Sequence, residues 1–247
     1  MRALFLSASV PQVGRGSYHE SADPFLIQTA VRELTIAVIR DYRIVWGGHP
    51  SITPMIWAIC EYLGVDYADR VLLYQSKFFQ NCFPEENERF GNVVYVEAVE
   101  GDEQASLKAM REAMLGRDDL VGAVFIGGME GVEVEFEIFR RLQPLAGYLI
   151  VSAPGGAARQ LAEKLNHRGT DLCSGVNFVE LYQTTLASPS QVEALPEFGL
   201  EEAQRALSAR IDKALMAHRK SSSVGLDSFG SSDLSSRKRK SFKLDGK

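Results

Sequence analysis

An α/β fold, with a doubly wound parallel sheet and helices on both faces, is predicted by three observations. Short apolar runs alternate with longer segments of helical spacing, and glycines mark many of the junctions. Parallel strands need crossover connections, which the intervening helices supply. At 247 residues, 45% hydrophobic and 24% charged, the chain has a globular composition and enough length for one large core.

The elements follow in order. Ala3-Leu4-Phe5-Leu6 is the first run. Asp23 and Pro24 suit the N-cap and first position of a helix, so PFLIQTAVRELTIAVIR is predicted as a helix reached through a long loop. Arg43 to Trp46 is a second strand ending in Gly47-Gly48, after which ITPMIWAICEYL has helical spacing and stops at Gly64. Val71 to Tyr74 and Val93 to Val96 repeat the strand pattern, the latter before a helix from about Asp102 to Leu115. Gly122 to Ile126 precedes a helix from about Val132 to Leu142, and Tyr148 to Val151 leads through Pro154-Gly155-Gly156 into AARQLAEKL. The arrangement is Rossmann-like.

After Gly175, NFVELYQTT and EEAQRALSARIDKALMAHRK read as a helical accessory that packs on the sheet or on a partner chain. The domain is placed at residues 1–220. Residues 221–247 form a Ser-rich tail expected to be flexible, because it has too little apolar surface to offset its ordering entropy. Its Arg237-Lys238-Arg239-Lys240 run reads as a solvated terminus or as a nuclear-import or polyanion-binding signal.

Charge and composition exclude several function classes. The tail holds six basic and three acidic residues, so the body carries a net charge of −8 against −5 for the whole chain. An acidic body argues against a nucleic-acid surface. No segment approaches the roughly 20 apolar residues of a membrane helix, and the start lacks the features of a signal peptide; a cytoplasmic location is expected. Cys60, Cys82 and Cys173 show no paired spacing and read as buried small hydrophobes in a reducing compartment.

Three glycine loops sit where ligands bind in such sheets, beyond the carboxyl ends of the strands. They are Gly47-Gly48 with Ser51 and Thr53 downstream, Gly127-Gly128-Met129-Glu130-Gly131-Val132, and Pro154-Gly155-Gly156. Glycine lets an anion approach the backbone at a helix N-terminus, and Ser51 and Thr53 offer hydroxyls. The set points to a nucleotide-like anionic ligand. No G-x-G-x-x-G, Walker loop, nucleophile elbow or His/Cys cluster appears, which disfavours NAD oxidoreductase, NTPase, triad and metal chemistry. His49 reads as a loop-stabilising hydrogen-bonding residue. The aromatic stretch Lys77 to Pro84, with Phe90, suits either a lid that stacks on a base or burial against the sheet.

The stretch GGMEGVEVE, Gly127 to Glu135, resembles the P-G-G-x-G-T-x-x-E signature of the Lonely-guy phosphoribohydrolases in the SLOG superfamily. The resemblance implies that Glu135 and Arg111, 16 residues before Gly127, share an active site. Gly47-Gly48 resembles an earlier phosphate loop of the family, and Ser7 lies where its first strand ends in small residues. Ile126 stands for the signature's proline and Val132 for its threonine, and one extra residue separates Gly128 from Gly131.

The resemblance implies hydrolysis of a nucleotide N-glycosidic bond with Glu135 and Arg111 as catalytic residues and with no metal or redox cofactor. Glu130 is the second choice of carboxylate. The lost threonine and proline favour a non-catalytic sensor of a nucleotide-derived signal, of the kind found in bacterial defence, and a scaffold with a vestigial cleft is a third reading. A homodimer or larger assembly is expected, because Val134, Phe136, Ile138, Phe139 and Leu142 lie on more than one face of their helix and related proteins bury that helix against a second subunit.

Overall fold

The computed structural model describes residues 1–83, 85–165 and 171–186, all within the compact unit Met1–Glu193. Six strands form one sheet: β1 (Ala3–Ser9), β2 (Arg43–Trp46), β3 (Val71–Ser76), β4 (Asn92–Val96), β5 (Leu120–Gly127) and β6 (Gly147–Val151). Their order is β4-β3-β2-β1-β5-β6 and every pairing is parallel. The crossovers run outward from β1 to β4 and then return to β5, so the winding reverses between β1 and β5. This is the Rossmann-like sheet that the alternation predicts.

The described helices are α1 (Tyr18–Ser21), α2 (Pro24–Val38), α3 (Thr53–Leu63), α4 (Glu103–Leu115), α5 (Glu130–Leu142), α6 (Gly156–Lys164), α7 (Asp171–Ser174) and α8 (Phe178–Thr185). Strand alternation sorts the two cores. Leu4, Leu6 and Ala8 of β1 pack with Ile27, Leu34, Ile56 and Leu181 from α2, α3 and α8. Ala3 and Phe5 face the other way, with Met114, Phe136, Phe139 and Leu161 from α4, α5 and α6. Phe125 of β5 centres that second core, its ring edge-on to Phe5, Phe136 and Phe139 at 6.0, 5.3 and 6.1 Å. The same alternation sends Ser7, two residues beyond Phe5, toward α5.

Several sequence expectations change. Cys60 and Cys173 are buried, but Cys82 is exposed, because it ends a 3-10 segment (Lys77–Cys82) beyond the sheet edge and not in the core. A second 3-10 segment, Glu85–Arg89, follows it. Helix α5 starts at Glu130, two residues before the expected Val132. Phe136, Ile138 and Phe139 are buried inside the domain, so of the five apolar residues named on that helix Val134 and Leu142 remain exposed. The expected final helix after Glu201, and the tail with Arg237 to Lys240, lie outside the described residues. Among the described residues, no helix is long and apolar enough to cross a membrane.

The third glycine loop is a packing joint and not an anion cradle. A Cβ on Gly155, at φ +81°, would stand 1.8 Å from the Ser21 carbonyl oxygen, and one on Gly156 would stand 2.9 Å from the Gly128 oxygen. The first N–H groups of α6 already have partners, Gly156 N–H on Ser21 Oγ and Ala157 N–H on the Gly128 carbonyl. Gly155→Ala should therefore destabilise the fold by about 2 kcal/mol or more, from the clash and the forced left-handed backbone. The melting temperature should fall by several degrees. A variant that melts like the parent would show that this contact is dispensable.

Candidate functional site

A cleft of about 330 Å³ opens at the carboxyl ends of β1, β2 and β3, beside the β1/β5 reversal. Ligands bind at such a reversal because the helices on either side aim their N-termini there. Its walls come from the ends of β1 and β3, the Gly47–Pro50 loop, the Lys77–Phe83 segment, the inner face of α4 and the first two turns of α5.

Glu135 and Arg111 meet in this cleft. Arg111 Nε donates to Glu135 Oε1 at 3.3 Å, and Ser7 Oγ donates to Oε2 at 2.6 Å. The Arg111 and Glu135 side chains are only 12% and 16% exposed, so this is a shielded pair and not a surface one. Burial pushes the Glu135 carboxyl above its ordinary value; Arg111 and the Ser7 hydroxyl pull the other way and offset only part of the shift. Gly131 makes room for the pair, since a Cβ there would stand 3.0 Å from Arg111 Nη2. Other nearby acids have other partners: the second-choice carboxylate Glu130 pairs with Arg15, Glu133, two residues from Glu135 and turned away from it, accepts from Tyr18 Oη at 3.2 Å, and Glu112, next to Arg111, pairs with Arg141 at 2.8 Å.

Of the residues expected to bind ligand, Ser7, Gly47, Gly48, Met129, Gly131 and Val132 line the cleft; Ser51, Thr53, Gly127, Gly128 and Glu130 do not. Ser51 and Thr53 are engaged within the protein. Thr53 Oγ1 accepts from the Trp46 indole and His49 N–H and donates to the His49 carbonyl. Ser51 Oγ accepts from Val10 N–H, tying the loop after β1 to the loop after β2, and lies 2.7 Å from His49 Nδ1. The close approaches at the glycines are likewise internal. A Cβ on Gly128 would stand 2.1 Å from Val132 Cγ2, and one on Gly48 would stand 2.0 Å from Gln75 Nε2. A side chain at Gly128 therefore disturbs the fold itself, and no substitution there isolates ligand binding.

The structure also brings in residues that the sequence reading did not single out. Gln75, buried at the end of β3, donates to the Gly47 carbonyl at 2.8 Å and accepts from Asn87, fixing the Gly47-Gly48 loop. Arg15, from the loop after β1, reaches the cleft and pairs with Glu130. The stretch read as a lid or a buried segment divides: Phe79, Cys82 and Phe83 form an outer wall of the cleft, where Phe83 stacks on Tyr95 with 5.7 Å between ring centroids, and Phe90 is buried in the core. No motif marks Gln75 or Arg15, because each acts through residues distant in sequence.

His49 makes the loop contacts expected of it and also lines the cleft. Its Nδ1 accepts the Ser51 N–H at 3.2 Å, which leaves the proton of the neutral ring on Nε2. Burial, with a smaller push from the Arg15 charge, lowers its pKa and favours that neutral form. The ring is thereby a preset hydrogen-bond donor.

A model of the SLOG cluster3 family matches residues 17–186, which takes in the β2 loop, Arg111 and the whole Gly127–Glu135 segment. No curated protein and no solved structure matches the chain.

Ser51→Ala should remove both the Val10 tie and the hydroxyl contact to His49. A destabilisation of about 1 kcal/mol in chemical unfolding is expected, with weakened ligand binding as the two loops separate. Unchanged stability would mean that the bridge carries no net free energy.

Proposed function

The chain belongs to the SLOG cluster3 family, and we propose that it binds a nucleotide in the β1–β3 cleft and hydrolyses its N-glycosidic bond. The observation that supports this reading is the shielded pairing of Arg111 with Glu135, held by Ser7 at the sheet reversal. Family membership supports nucleotide-related chemistry; the cleft volume, about 330 Å³, suits a small ligand.

In the proposed step the bond from ribose C1′ to the base nitrogen breaks, and its electron pair leaves with the base. Positive charge develops on the ribose, and a carboxylate facing it stabilises that charge. Water adds to C1′, its proton passes to Glu135, and Glu135 returns a proton through solvent to the departed base nitrogen, so that the neutral free base is released and the carboxylate is restored. Arg111 keeps Glu135 oriented and favours its ionised form, against the burial that favours the neutral one. The outer wall of Phe79 and Phe83 suits a planar base.

One observation favours the sensor reading. Both Glu135 oxygens already have donors, from Ser7 and Arg111, so the carboxylate is less free than a general base usually is. A panel of nucleotides assayed for binding and for free-base release separates the two readings: hydrolysis gives turnover, and sensing gives affinity alone.

Glu135→Gln keeps the shape but removes the charge, and should lower turnover by about a hundredfold or more with nucleotide affinity within a few-fold of the parent. Parent-like turnover would remove Glu135 from the chemistry. The pH profile gives a separate check. Protonated Glu135 cannot accept the water proton, so activity should fall as pH drops through its pKa. Because burial raises that pKa, the acid limb should lie at higher pH than for an ordinary glutamate. An acid limb at or below the ordinary glutamate value would contradict the assignment.

A further inference from the structure

Arg15 and Glu130 form an ion pair at the rim of the cleft whose character differs from that of Arg111 and Glu135 inside it. Their side chains are 54% and 50% exposed, against 12% and 16% for the inner pair. A pair so exposed contributes at most about 1 kcal/mol and exchanges readily for another partner. The inner pair is shielded from exchange.

The chain around Arg15 is also easily moved. Gly14 and Gly16 flank it at φ +91° and +68°, and a Cβ on Gly14 would meet nothing within 4 Å. Two of the bonds that hold the loop are weak: Arg15 N–H reaches the Gln12 carbonyl only at 3.4 Å, and Gln12 N–H has the thioether sulfur of Met129 as its acceptor, at 3.5 Å. Val13 is 84% exposed. Little packing is lost if this loop shifts toward the cleft.

The charges lining the cleft show what such a shift would do. Among the described residues lining it, the two guanidinium groups are Arg15 and Arg111, and the two carboxylates are Glu103 and Glu135. Arg111 is committed to Glu135. An anionic ligand entering the cleft meets one cation that can change partners. Glu130 opens α5, whose N-cap position, Met129, provides no side-chain cap. An anion is favoured at such a helix start, and Glu130 already supplies one.

We propose that Arg15 is an exchangeable anion clamp: Glu130 holds it while the cleft is free, and it transfers to the phosphate of a bound nucleotide. This rests on the nucleotide reading of the cleft and adds to it a residue that selects the phosphorylated ligand. No covalent step is involved. The Arg15 guanidinium exchanges a carboxylate for a phosphate, two groups that it can grip in the same two-pronged way. Glu130 then turns to solvent.

The test is a double-mutant cycle on affinity, using the four ribonucleoside 5′-monophosphates and their nucleosides as probes, with Arg32→Ala on α2 as a surface-arginine control. Arg15→Ala should weaken monophosphate binding by about tenfold or more, as expected for loss of a charged hydrogen bond, and leave nucleoside binding unchanged. Glu130→Gln should tighten monophosphate binding by about threefold, because the competing carboxylate is gone. In the Arg15→Ala background that gain should shrink, since there is no clamp left to release. An equal gain in both backgrounds would overturn the clamp, as would an Arg15→Ala loss shared equally by nucleosides and monophosphates. If monophosphates bind and Arg15→Ala behaves like Arg32→Ala, the clamp fails and the nucleotide reading survives. If no probe binds the parent, both fail together.

Discussion

The carboxylate of Glu135 is the constraint around which the rest of the cleft is arranged. A charged group taken largely out of water needs specific partners, and removing one of them costs far more than an exposed ion pair is worth. Its two partners come from different places in the fold: Ser7 from β1 and Arg111 from α4. Both must be delivered to within hydrogen-bond range of one residue on α5. That is achieved only if α4 and α5 lie side by side on the face of the sheet toward which β1 turns Ala3, Phe5 and Ser7. The aromatic contacts of Phe125 with Phe5, Phe136 and Phe139 hold that face together. Packing in the second core is thus the scaffold of the polar site above it.

Gly131 shows how local this requirement becomes. It sits in the first turn of α5, where glycine costs helix stability relative to alanine. A methyl group there would crowd Arg111 Nη2 at 3.0 Å. Gly127 and Gly128 answer a different need. At φ +59° and +78° they turn the chain from β5 into α5, and a Cβ on Gly127 would meet Ile27 Cδ1 at 2.6 Å, so they close the packing between sheet and helix.

The sequence made most of the fold legible because strands and helices are periodic. The runs at Ala3, Arg43, Val71, Val93, Gly122 and Tyr148 each mark an observed strand, and Asp23 with Pro24 marks the true start of α2, where the Asp23 carboxylate accepts from Phe25 and Leu26 N–H. The 3-10 segments were not legible, since short irregular turns have no apolar period to read. The partnership of Arg111 with Glu135 came from a family spacing and not from chemistry on a single element; 24 residues separate the two. Arg15, Gln75 and the tautomer of His49 were beyond reach for a related reason. Each is defined by a contact between loops, and loop contacts follow from strand order. Ser51 and Thr53 show the opposite error: hydroxyls at a ligand-facing loop look available in sequence and prove to be consumed in building it.

Helix capping adds a last physical argument for where a ligand belongs. Among the described helices of eight or more residues, α2, α4 and α8 carry side-chain caps from Asp23, Asp102 and Asn177, and α6 receives Ser21 Oγ. The two left without one are α3 and α5, whose N-cap positions hold Ile52 and Met129. Unpaired N–H groups at a helix start have to be met by something, commonly a side chain, water or a ligand. At α3 the chain meets the need itself: Ile52 and Thr53 N–H donate to the His49 carbonyl, Pro54 has no N–H, and Met55 and Ile56 N–H donate to the Ile52 carbonyl. The start of α5 breaks the local rule, and Met129 and Gly131 at that start line the cleft. Local rules tend to give way where function overrides them. The uncapped start of α5, with Glu130 and its partner Arg15 beside it, and the neutral His49 in the loop before α3 thus put hydrogen-bonding groups at the opening that also holds the shielded Glu135 carboxylate.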